Sequence, residues 1–214
     1  MRSSKDYSPH FVYLPKTQLE QKALQTNLQK KGKISLSPLS GSEPPYEPQK
    51  WNLNPNIRSN HNCYSYAMNH LNPGRKGKPQ PGYFSGYDHI QDNEYNCENF
   101  RKRLSNDIPS LYLTSFEQPC EKGFHKGFIA LDPSDDPDYH FYRQDNNGKW
   151  SHKPGRTDAQ NLDASGNPIS NPHTANRNYT HFSYNKPCFF FCVNKKLGRS
   201  HATKINTKKS FFNF

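Results

Sequence analysis

Apolar positions are sparse at both ends of this chain and concentrate in its middle. Near the N-terminus, Thr17-Gln18-Leu19-Glu20 has the form of a capping box, in which hydroxyl and acid satisfy the first free amides of a helix. Leu19, Ala23, Leu24 and Leu28 follow as a narrow stripe closed by Lys30-Lys31-Gly32, which predicts a short amphipathic helix over about 17–31. Such a helix is marginal alone, so its stripe calls for a partner surface. Residues 33–50 carry too many prolines for helix or sheet and read as an extended linker.

The compact domain is expected from about Trp51. Tyr64, Ala67, Met68 and Leu71 recur at helical spacing behind Asn60 or Asn62 as cap, and Asn72-Pro73-Gly74 stops them. A second short helix is predicted from Asn96 to Leu104, with Cys97, Phe100 and Leu104 on one face and Pro109 beyond it. From Leu111 the pattern becomes that of strands, over 111–116, 126–131, 139–144, 149–152 and 188–193. Asp145-Asn146-Asn147-Gly148 marks a hairpin between the third and fourth, and 153–185 reads as loop. Helices first and an antiparallel sheet afterwards predict an α+β domain over 51–193, between an arm of residues 1–50 and a tail of residues 194–214.

Composition sharpens that division. Only 31% of the 214 residues are hydrophobic, and 14 Phe and 13 Tyr carry much of what can be buried. The net charge of +11 lies in the ends: residues 1–50 hold eight basic and four acidic residues, and 186–214 hold seven basic and none acidic. The middle is neutral, so basicity describes the tails. They are candidates to bind neighbouring subunits, nucleic acid or an anionic surface. Lys208, Lys209, Phe211, Phe212 and Phe214 form a basic, aromatic end suited to a neighbour's pocket. No run approaches the roughly 20 apolar residues of a membrane span, and the N-terminus lacks the apolar segment of a secretory signal, so cytoplasmic synthesis is expected.

Candidate chemistry centres on Asn62-Cys63-Tyr64-Ser65-Tyr66-Ala67. A cysteine in the first turn of a helix is expected to have a lowered pKa, and the amides around Asn62 and Cys63 are candidates to hold an oxyanion. A histidine must then serve as base and a further polar group must orient it. His140 and His152 flank the Gly148 turn. An odd-length loop there puts both imidazoles on one hairpin face, whereas a two-residue loop puts them on opposite faces.

A helix-leading cysteine followed by His140-Phe-Tyr-Arg-Gln-Asp-Asn-Asn-Gly148-Lys-Trp-Ser-His152 resembles the NlpC-like branch of papain-fold cysteine hydrolases, whose two histidines have the same interval. More narrowly, Asn-Cys-Tyr-x-Tyr-Ala, Asp-Tyr-His-Phe-Tyr-Arg and Trp-Ser-His-Lys-Pro-Gly resemble a group found in bacteria, giant DNA viruses and molluscan shell-matrix proteins. The likeness covers about residues 51–192. It implies a papain-like fold with Cys63 as nucleophile, His140 as base and His152 as third member, acting on a peptide, amide or ester. Asn62 stands where the cell-wall enzymes usually carry Asp, and no recognisable wall-binding repeat accompanies it, so both features argue against a peptidoglycan substrate.

The remaining polar clusters read as structural. Asp132, Asp135, Asp136 and Asp138 lack the glycine and bidentate Glu of a calcium loop and read as a solvated turn, so neither metal nor cofactor is expected. Cys63, Cys97, Cys120, Cys188 and Cys192 are odd in number and without a Cys-x-x-Cys pair. A disulfide framework is therefore not expected, and Cys188 and Cys192 read as core on one strand face. Asn178-Tyr179-Thr180 is a glycosylation sequon, set aside for want of a secretory signal. Three functional readings follow. The favoured one is a structural component of a large assembly, such as a minor capsid or matrix protein, using a hydrolase-like domain as a brick and its arms as ties. The alternative is an active thiol hydrolase, and nucleic-acid binding through the tails is weaker.

Overall fold

The computed structural model describes residues 36–194. The helix expected over 17–31 and the aromatic end at Phe211, Phe212 and Phe214, with Lys208 and Lys209, lie outside the described residues. Among the described residues four α-helices, α1 (Gln49–Asn52), α2 (Pro55–Asn60), α3 (Cys63–Ala67) and α4 (Cys97–Asp107), precede the sheet. Its strands are β1 (Tyr112–Thr114), β2 (Phe124–Asp132), β3 (Asp138–Gln144), β4 (Trp150–His152) and β5 (Lys186–Asn194). They pair antiparallel in the order β1-β5-β2-β3-β4, so the α+β architecture is as expected.

Side-chain alternation gives the sheet two buried faces. Ile129, Leu131, Phe141, Phe191 and Val193 pack with Cys63, Tyr64, Ala67, Phe100 and Leu104 on the helix side. Phe128, Ala130, Tyr142, Trp150 and Phe190 form the other face, covered by Ile169 and Tyr184 from the stretch between β4 and β5. That stretch is loop, as expected, pinned by the isolated bridges His152–Gln160, Leu162–Pro168 and Asn178–Ser183. Gly127 faces Phe191 across β2 and β5, and a methyl there would stand 2.3 Å from the ring's Cζ. Only glycine fits so close an approach.

Residues 36–48 have no regular structure, yet they lie against the sheet and extend the packed unit upstream of Trp51. Ser37 donates to the Phe116 carbonyl at 2.6 Å and Ser40 to that of Phe124 at 2.5 Å, while Gln144 donates to the Ser37 carbonyl at 2.7 Å.

Helix α3 is shorter than its apolar spacing predicts, ending at Ala67 instead of near Leu71. Asn69 takes φ +50°, and the amides of Asn69 and His70 donate to the carbonyls of Tyr66 and Ser65 at 2.9 Å each. These two bonds are the Schellman closure, with asparagine in the left-handed position that glycine usually fills.

The cysteines correct the sequence expectation most. Cys97 is bonded to Cys188 and Cys120 to Cys192, leaving Cys63 free. The pairs Ile129–Phe189 and Ala130–Pro187 leave Cys188 as the extra residue of a register shift. Simple alternation therefore fails between Cys188 and Cys192, and Cys188 joins the helix side, where Cys97 opens α4.

Candidate functional site at the end of β3

Asn62 caps α3, its Oδ1 accepting from the amide and hydroxyl of Ser65 at 3.1 Å each. Its Nδ2 donates to the Pro79 carbonyl at 2.7 Å. Both ends of the amide are thus engaged, and Cys63 is fixed at the first helical position. The β3–β4 register pairs Tyr142 with His152 and Gln144 with Trp150, leaving an odd loop with Gly148 at φ +80°. His140 and His152 consequently share a hairpin face as diagonal neighbours, and His140 Nε2 lies 2.7 Å from His152 Nδ1.

The tautomers follow from the outer partner. His152 Nε2 is 2.9 Å from the Leu162 carbonyl, which can only accept. Nε2 therefore carries a proton, the neutral ring leaves Nδ1 as acceptor, and His140 must donate from Nε2. This leaves His140 Nδ1 unprotonated. Burial pushes both imidazoles toward the neutral form: His140 falls well below the usual histidine range, with His152 adding to the effect, and His152 falls to about 4.

Cys63 and His140 line one cleft of about 410 Å³, together with Lys78, His89, Tyr95, Asp138, Tyr139 and Tyr184. The cysteine, however, sits in the helix-side core, whereas the His140 ring stacks on Tyr184 at 4.9 Å on the other face of the sheet. The thiol donates to the Tyr139 carbonyl at 3.8 Å, and no hydrogen bond joins it to an imidazole among the described residues. Burial, followed by the negative charge of Asp138, pushes its pKa up to about 12; backbone hydrogen bonds at Phe141 and Tyr64 and the charge of Lys78 oppose this only in part. A five-residue helix thus fails to outweigh desolvation, and the thiol is neutral at pH 7. The structure brings His140 and His152 together and brings Cys63 to their cleft, but in a form opposite to an activated thiolate.

Two buried lysines escaped the sequence reading, because a single lysine carries no periodic signal. Lys153 Nζ approaches the carbonyls of Arg58, His61, Gly155 and Thr157 at 2.6–2.9 Å, tying α2 to the chain after β4. Lys126 Nζ holds Ser37 Oγ at 2.6 Å and the Phe116 carbonyl at 3.0 Å. In the acidic β2–β3 turn, Asp132 accepts from the amides of Ser134 and Ser183 and Asp138 accepts from Tyr184. No group of three or more His, Cys, Asp or Glu among the described residues is arranged to hold a metal ion.

Fold and site together define a two-faced antiparallel sheet, cross-linked by two disulfides, with a capped cysteine helix on one side and a histidine pair on the other. The chain is 39% identical over 132 residues to insoluble matrix shell protein 1 of Ruditapes philippinarum, a match spanning 62% of this chain and 80% of that protein. It belongs to the same family as that protein. No family model matches the chain, and no solved structure matches it.

Proposed function

We propose that this chain is a structural protein of an insoluble extracellular matrix, whose papain-like, NlpC-type domain serves as a building block without thiol chemistry. The family relationship to insoluble matrix shell protein 1 carries the proposal. The cysteines support it: four of five are paired, as suits an oxidising compartment, and the fifth is buried with its pKa raised. A sheet buried on both faces and stapled at Cys97–Cys188 and Cys120–Cys192 resists unfolding outside the cell. The basic N- and C-terminal segments are the ties to neighbouring subunits in this reading. No helix among the described residues is long and apolar enough to cross a membrane. Fractionation of the source tissue tests the proposal. The chain is expected in the detergent-insoluble extracellular material, and recovery in the soluble cell extract would defeat it.

A second reading, thiol hydrolysis of a peptide, amide or ester, draws on one observation. Cys63 and His140 line the same cleft, and the tautomer chain leaves His140 Nδ1 free to accept a proton. Mass spectrometry of candidate peptides and amides incubated with wild type and Cys63→Ala decides it. Indistinguishable products retire the hydrolase for those substrates.

A further inference from the structure

The sequon Asn178-Tyr179-Thr180 lies in a tight loop that separates its three side chains by role. Asn178 and Ser183 form an isolated bridge, and the Tyr179 amide donates to the Phe182 carbonyl at 2.8 Å. Tyr179 turns inward, its ring centroid 6.1 Å from those of His152 and Tyr184 and 6.5 Å from that of His140. Asn178 and Thr180, on either side of it, are exposed. Asn178 Oδ1 accepts from Ser183 Oγ at 2.6 Å, and its backbone amide donates to Asn176 Oδ1 at 3.0 Å. Neither Asn178 Nδ2 nor the Thr180 hydroxyl enters a hydrogen bond among the described residues. The atom that a glycan modifies and the hydroxyl that its transferase reads are therefore both unspent.

This is the sole Asn-x-Ser/Thr in the chain, and the fold places it where a large polar substituent projects into water without displacing core. The inward anchor, Tyr179, is the middle residue, which the sequon leaves unspecified apart from excluding proline. The two disulfides are the mark of an oxidising folding compartment, where N-glycosylation also occurs.

We propose that Asn178 is an N-glycosylation site carrying a single oligosaccharide, an inference that rests on the extracellular reading above. In the transfer, Asn178 Nδ2 attacks the anomeric carbon of a lipid-linked oligosaccharide. The N–C1 bond forms, the C1–O bond to the lipid pyrophosphate breaks, and the amide gives up one proton. A glycan here extends from the loop that covers the histidine-bearing face, so it coats that side of the domain.

The full chain, secreted behind a cleavable leader from cultured insect cells, provides the test through intact mass and peptide mapping before and after peptide N-glycosidase treatment. One glycan mass is expected on the peptide holding Asn178. It should be lost in Asn178→Gln and Thr180→Ala, and retained in Thr180→Ser and in Asn185→Gln. Secreted protein with both disulfides formed and a bare Asn178 overturns the glycan while leaving the extracellular reading intact. Reduced thiols at Cys97, Cys120, Cys188 and Cys192 in protein taken from its natural tissue would instead defeat the extracellular reading, and with it this inference.

Discussion

Removal of the Cys97–Cys188 bond by the double substitution Cys97→Ala/Cys188→Ala should cost this fold much of its stability. The two residues stand 91 positions apart, but Cys120–Cys192 persists in the unfolded variant, so the bond closes only the path from 97 to 120 and from 192 back to 188, about 28 residues. Loop-closure entropy for that length is worth about 3–4 kcal/mol at 25 °C, against a total of roughly 5–15 kcal/mol for a domain. The native state gives up little else, because Phe100 and Leu104 of α4 remain buried against the sheet. Replacing both cysteines avoids a new thiol able to exchange with Cys63 or with Cys120–Cys192. Urea unfolding followed by tryptophan fluorescence measures the difference. With a slope of about 2 kcal/mol/M the midpoint should fall by about 2 M, and the slope should rise because the uncrosslinked chain exposes more surface. A loss below about 1 kcal/mol with an unchanged slope would refute the reasoning.

Four further outcomes follow from the same geometry. Iodoacetamide at pH 7.5 should label native Cys63 very slowly, since a thiol at about 12 holds about three orders of magnitude less thiolate than a free cysteine; rapid labelling would restore the nucleophile. Gly127→Ala should destabilise by about 1–3 kcal/mol, because the new methyl meets the Phe191 ring, and an unchanged melting curve contradicts the packing. Lys153→Met strips the donor from four backbone carbonyls and should cost on the order of 3 kcal/mol; a stabilised variant in urea unfolding would show that the ammonium was a burden. His152, held near 4 when folded but titrating at about 6.5 when unfolded, lets the unfolded state bind more protons between those values. Its contribution is therefore complete above pH 6.5 and falls by about 3 kcal/mol toward pH 4, so His152→Gln should flatten the urea midpoint against pH over that window. A wild-type and a variant profile of equal slope would exclude the buried neutral imidazole.

Much of this fold is legible in the chain because the signals are local. The five strands follow from runs such as Phe128-Ile129-Ala130-Leu131, whereas the placement of His140 beside His152 hung on a loop length that the turn residues left open and that the Gln144–Trp150 register fixes as odd. What escapes is what depends on distant partners. The end of α3 was masked by Leu71, whose apolar side chain packs by Trp51 and Tyr66 outside the helix, while Asn69 performs the closure that glycine usually signals. The disulfides were hidden because the register shift opposite Ile129 and Ala130 breaks the alternation that assigned Cys188 and Cys192 one face. The reversed pKa of Cys63 has the same origin. A helix position can be read from Asn62, but burial under Phe141 and Tyr139 comes from a strand 76 residues away.

The central claim, a cross-linked extracellular building block with a dormant thiol, is met most directly by a non-reducing peptide map of the chain taken from its source tissue. The account predicts peptides joined as Cys97–Cys188 and Cys120–Cys192, with Cys63 recovered as an unmodified thiol only after unfolding. Five reduced cysteines in a soluble extract, or a Cys63 that reacts in the native protein, would contradict it.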